Sequence, residues 1–94
     1  MPATDISARL VSESEHSFAL LVCVREGDSE TKHDVTLRRD LLLRLSPNES
    51  ADAFVRRCFE FLLARESKES ILRRFDISVI GRYFPEFEKK IATR

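Results

Sequence analysis

Val35-Thr36-Leu37-Arg38-Arg39-Asp40-Leu41-Leu42-Leu43-Arg44-Leu45-Ser46-Pro47-Asn48-Glu49 is the stretch in which the apolar period of this chain changes. Up to about Leu37, apolar residues stand in short alternating or continuous runs. From Ser46 onward they recur at three and four. A period of two giving way to a period of 3.6 predicts a small sheet followed by packed helices.

Upstream of the change, Phe18-Ala19-Leu20-Leu21-Val22-Cys23-Val24 is a continuous apolar run and reads as a central strand with both faces at least partly covered. Ile6 to Val11 alternates weakly and reads as a strand before it, with Ser12 to His16 as the turn. Glu26-Gly27-Asp28-Ser29-Glu30 supplies a reversal in which Gly27 takes a positive φ. His33 to Leu37 returns as a third strand. Three antiparallel strands in meander order form the smallest sheet expected to be stable once helices cover a face.

Downstream, Asp40 to Leu45 reads as a short helical turn. Ser46-Pro47-Asn48-Glu49 has the form of a capping box with proline in the first turn, which predicts a helix from about Pro47 to Arg65. Its apolar stripe is Ala51, Phe54, Val55, Cys58, Phe59, Leu62 and Leu63. Asp52, Arg56, Arg57 and Glu60 fall on the other side, with Arg56 and Glu60 spaced to pair. Ser67 is placed to cap a second helix through Ile71, Leu72 and Phe75. Asp76 is placed to cap a third, carrying Ile77, Ile80 and Phe84, with Val79 and Tyr83 beside them. Pro85 interrupts it, and Phe87 and Ile91 anchor a last turn. The expected architecture is a single α+β domain, a three-stranded antiparallel β-meander over residues 1–37 followed by about three helices packed on one face over residues 38–94.

The totals fit that picture. Ninety-four residues make one domain, 43% hydrophobic and 34% charged, with seven Phe, two Gly and three Pro. Formal net charge is zero. Residues 1–47 carry six basic and eight acidic groups and residues 48–94 carry ten and eight, so no whole-molecule field draws in nucleic acid or an anionic membrane. Cys23 and Cys58 form no C-x-x-C pair, and each sits inside an apolar pattern, as buried free thiols do. Met1 to Asp5 lacks the basic and apolar regions of a signal peptide, and the run Phe18 to Val24 is too short for a membrane span. The expected location is the cytoplasm.

Three segments carry a resemblance: Phe61-Leu62-Leu63-Ala64-Arg65-Glu66, then Glu69 through Ile80 (ESILRRFDISVI), then Tyr83-Phe84-Pro85-Glu86-Phe87-Glu88. Together they resemble the ending of a family of small uncharacterised bacterial proteins, and Thr31 to Thr36 is similar to the middle of that family. The resemblance covers roughly the last half of the chain. It implies a bacterial, stand-alone protein and no particular activity.

The side chains capable of chemistry are sparse. His16, His33, Cys23 and Cys58 are not spaced as paired metal ligands, and no metal or cofactor is expected. His33 and Asp34 are neighbours on a strand and point to opposite faces, so they form no oriented acid–base pair. A Cys58–His33 nucleophile pair would need the apolar helix stripe opened to solvent. Two glycines build no phosphate loop. An enzyme is therefore not expected. Strand Val35 to Leu37, the segment Arg38 to Leu45 and the capped helix together resemble a ribbon-helix-helix regulator, with arginine doublets 38/39, 56/57 and 73/74 as phosphate contacts. The favoured expectation is a non-catalytic interaction or regulatory module that meets a protein partner or a second copy of itself, with nucleic acid as the alternative. Its expected surface is Arg73, Arg74, Arg82, Tyr83, Phe84, Pro85 and Phe87, where the aromatics of Tyr83-Phe84-Pro85-Glu86-Phe87 either clasp the core or face a partner.

Overall fold

The computed structural model describes residues 4–93. Strands β1 (Thr4–Glu13), β2 (Ser17–Glu26) and β3 (Ser29–Arg38) form the antiparallel meander. Helix α1 (Arg39–Leu45) and helix α2 (Ala51–Leu63) follow. A 3-10 turn at Lys68–Ser70 leads to a short strand, β4 (Arg74–Asp76). A 3-10 turn at Ile77–Val79 runs into α3 (Ile80–Tyr83), and α4 (Phe87–Ile91) is the last described helix. No helix among the described residues is long and apolar enough to cross a membrane.

The α+β class holds, with one strand more than the meander. The sheet order is β1-β2-β3-β4, and β4 runs parallel to β3. The predicted helix from Ser67 to Phe75 is thus replaced by one 3-10 turn and a strand, and the half of the chain read as helical supplies part of the sheet. The cause is the open edge of β3. The Asp34 amide donates to the Arg73 carbonyl at 2.7 Å, and Val35 lies opposite Phe75. Ladder bonds and burial of Phe75 outweigh a helix with only a local cap to start it.

Strand alternation divides the sheet. Leu20, Val22 and Val24 of β2 and His33, Val35 and Leu37 of β3 are buried on one face, under α1 and α2. The other face shows exposed Asp5, Ser7 and Arg9, then half-buried Ala19, Leu21 and Cys23, then exposed Lys32, Asp34 and Thr36. The apolar row of β2 is thus shielded on that face by its neighbours in the sheet, and no helix lies over it among the described residues. The β2–β3 hairpin closes with Gly27-Asp28 between Glu26 and Ser29, and Gly27 has φ +60°. Glycine in the first central position fits a II′-type turn, whose twist matches the strands. Gly27→Ala should cost about 1–2 kcal/mol, although its methyl would meet nothing within 4 Å. Urea denaturation checks this, and an unchanged midpoint would mean that the φ at Gly27 is not needed.

Helix α2 starts four residues later than predicted. Ser50, not Ser46, is its N-cap, its hydroxyl accepting from the Ala53 amide at 3.4 Å. Ser46 instead ends α1, donating its amide to the Leu42 carbonyl. The stripe Ala51, Phe54, Val55, Cys58, Phe59 and Leu62 is buried as its spacing requires, Leu63 is half-buried, and Phe61 is buried as well. Full burial of a side chain the size of Phe54 or Phe59 contributes about 2–3 kcal/mol. Phe61 is hidden by the C-terminal segment: the rings of Phe84 and Phe87 meet it edge-on at 5.8 and 5.1 Å, and the Arg65 guanidinium lies 3.6 Å from its centre on another side.

Candidate interaction groove

Where α2 ends, the chain crosses the sheet edge and returns as α3, leaving a groove of about 510 Å³ between the two passes. Leu62 comes from α2, Ile71 and Leu72 from the segment before β4, Phe75 from β4, and Ile80 and Tyr83 from α3. Leu62, Ile71, Phe75 and Ile80 form a buried floor. Leu72 (50% exposed) and Tyr83 (69% exposed) stand at the rim. Glu66 and Ser70 are the polar members of the lining.

Ile71 has extended backbone, with φ −75° and ψ 133°, and of the two neighbours Ile71 is buried whereas Leu72 stands in solvent. A buried histidine fixes it there. His33 Nδ1–H donates to the Leu72 carbonyl at 2.8 Å, and the Thr31 hydroxyl lies 2.9 Å from Nε2. A carbonyl only accepts, so Nδ1 carries a proton. The ring also packs against Phe59, with centroids 5.3 Å apart. His33 is thus a tie between β3 and the groove wall, while Asp34 points to the exposed face. Lys68, also buried, bridges the far end of the crossing, its ammonium lying 2.6 Å from Glu69 and 3.1 Å from Glu26. Those carboxylates, Glu69 foremost, raise the pKa of the ammonium.

The structure divides the expected surface residues. Tyr83 and Phe84 line the groove, Phe84 half-buried. Arg73 and Arg82 are exposed, each next in the chain to a lining residue, and neither has an acidic partner within ion-pair distance among the described residues. Arg74 is exposed beside β3, 3.8 Å from Asp34. Pro85 is exposed past the end of α3. Phe87 is 1% exposed and belongs to the core. The aromatic segment therefore does both things: Phe87 clasps the core, Phe84 bridges, and Tyr83 faces out. Leu72 is a rim residue that the helical reading of 67–75 had turned inward. The signal for it is the pair Ile71-Leu72, since extended backbone with one face covered buries only one of two neighbours.

The arginine doublets at 38/39 and 56/57 are engaged with acidic side chains of the chain itself, Arg38 with Asp40 at 3.4 Å. Arg39 donates to Glu13 at 2.6 Å and to the Ser14 carbonyl, and lies over the Phe18 ring. Arg57 pairs with Glu49, whereas Arg56 is exposed, and the predicted Arg56–Glu60 pair is not among the ion pairs of the described residues. Cys58 is fully buried, and burial pushes its thiol pKa up; Cys23 is half-buried on the open face of the sheet. Among the described residues, no three His, Cys, Asp or Glu side chains are grouped as a metal would require. Comparison with family models, with curated proteins and with solved structures returned no match.

Proposed function

We propose that the chain is a small non-catalytic interaction or regulatory module whose groove receives an apolar segment of a protein partner with acidic flanks. One observation carries this reading: Tyr83 and Leu72 stand exposed over a floor of buried Leu62, Ile71, Phe75 and Ile80. Tyrosine and arginine are the side chains that most often anchor such contacts. Arg73 and Arg82 beside the rim have no acidic partner among the described residues, which favours acidic flanks on the partner. The two unpaired cysteines fit a reducing compartment such as a cytoplasm.

The alternative is a nucleic-acid-binding regulator of ribbon-helix-helix type. Such a regulator needs a strand free to enter a DNA groove beside its symmetry mate. Strand β3 has β2 on one side and β4 on the other, which weighs against that reading.

A random peptide library displayed on phage tests the groove. Selection on the wild-type protein should enrich apolar sequences flanked by Asp or Glu. Their synthetic versions should lose about tenfold or more in affinity for Tyr83→Ala and for Leu72→Ser, with circular dichroism unchanged. Peptides that bind all three proteins equally, or no enrichment, would overturn the groove reading. A gel shift with duplex DNA that persists at about 150 mM salt would favour the alternative.

A further inference from the structure

The two edges of the sheet are unlike. The β4 edge is three residues long and carries Arg74, a short and charged edge of the kind that resists pairing. The β1 edge is ten residues long, with no strand beside it among the described residues. All of β1 but Ile6 and Ala8 is exposed, including Leu10 at 42% and Val11 at 60%. A long open edge with apolar side chains presents unpaired amides and carbonyls that another strand can satisfy.

The sequence of that edge is complementary to itself. Pairing with β2 is regular from Thr4 to Leu10 and then shifts, so that Val11 is an extra residue. The regular ladder has Ser7 at its centre. An antiparallel copy of the same strand, related by a two-fold axis through Ser7, pairs residue i with residue 14 − i. Every residue from Thr4 to Leu10 then has a partner. Asp5 lies opposite Arg9 of the second copy, twice over, and Ile6 lies opposite Ala8. Asp5 and Arg9 share the open face of the sheet, and within the chain neither takes part in an ion pair among the described residues. Shifting the axis to Ala8 carries the ladder through the bulge and sets Asp5 against Val11. An axis at Arg9 sets like charges together.

We infer that β1 is a dimerisation edge, pairing antiparallel with β1 of a second copy about Ser7 to give one continuous eight-stranded sheet. This surface lies on the strand at the far side of the sheet from β4, so the inference stands apart from the groove and its partner. The buried faces of the two copies join through Ile6 and Ala8, and the open faces through the two Asp5–Arg9 pairs. The contact is isologous and closes on itself, leaving only the two short β4 edges at the ends of the joined sheet.

Sedimentation velocity over about 5–500 μM tests it, with circular dichroism confirming the fold of each variant. Wild-type protein is expected to reach twice the monomer mass within that range. Asp5→Arg and Arg9→Asp alone each set like charges opposite, and each should weaken association about tenfold or more. The double variant Asp5→Arg/Arg9→Asp restores both pairs and should associate as the wild type does. A wild-type chain that stays monomeric throughout would overturn the inference. So would a dimer indifferent to both single changes, or one that the double variant fails to restore.

Discussion

Cys58→Asp is expected to leave the protein unfolded at neutral pH, whereas Cys58→Ala should fold and lose about 1–2 kcal/mol. The side chain of Cys58 has no exposed surface and lies in the same stripe as Phe54, Val55, Phe59 and Leu62. Burial pushes the pKa of the native thiol up, because the site disfavours an anion more strongly than neighbouring Arg57 favours one. A carboxylate at this position loses its hydration, and the Arg57 guanidinium is already held by Glu49. The cost of about 4 kcal/mol or more is comparable to the lower end of the stability of a domain this size, about 5–15 kcal/mol. Urea denaturation followed by circular dichroism gives both values. Thiol labelling gives an independent check: in a Cys23→Ser background the remaining thiol should resist reagent until denaturant is added. Labelling of native Cys58 at the rate of free cysteine would defeat the burial argument.

What could be read from the sequence followed how locally each feature is determined. The stripe of α2 needs only its own spacing, so Phe54, Val55, Cys58, Phe59 and Leu62 are where the pattern places them. The turn at Gly27 is equally local, since a two-residue hairpin demands a residue that tolerates positive φ. Asp76, placed as a cap by its side chain, does accept from the Ser78 amide at 2.9 Å. The features missed are those decided by distant partners. β4 exists because β3 offers an edge some forty residues upstream, and nothing within Arg74-Phe75-Asp76 announces it. Phe61 lies off the stripe and is buried because Phe84, Phe87 and the Arg65 guanidinium close over it. The groove was half legible: Tyr83 and Phe84 stood out as aromatics in a short segment, but Leu72 and Phe75 join them only through the strand that the periodicity concealed.

The Ser46-to-Glu49 segment does not cap α2 but ties it to the C-terminal turn. Ser46 and Glu49 do interact, but side chain to side chain: the Ser46 hydroxyl donates to Glu49 Oε1 at 2.8 Å. Glu49 is held by Arg57, which donates to Oε1 at 2.6 Å and to Oε2 at 2.9 Å. Arg57 also donates to the Ile91 carbonyl at 3.0 Å, and the Thr93 hydroxyl lies 3.0 Å from the buried Ser46 hydroxyl. One carboxylate therefore joins the end of α1, the middle of α2 and the C-terminal turn. The Arg57 hydrogen bonds lower the Glu49 pKa from its ordinary 4.5, against the opposing effect of partial burial and with help from Ser46. A carboxyl whose pKa is lower folded than unfolded adds stability that is fully present above the unfolded value and is lost as pH falls through the folded one. Glu49→Gln, equal in shape but without charge, should therefore cost about 1.5–3 kcal/mol at pH 7. That gap between variant and wild type should stay constant well above 4.5 and close as the wild-type carboxyl takes up its proton below that value. Urea midpoints measured from neutral pH down into the acid range trace it. A gap that persists undiminished after the carboxyl is protonated would show that shape, not charge, holds the C-terminal turn to α2.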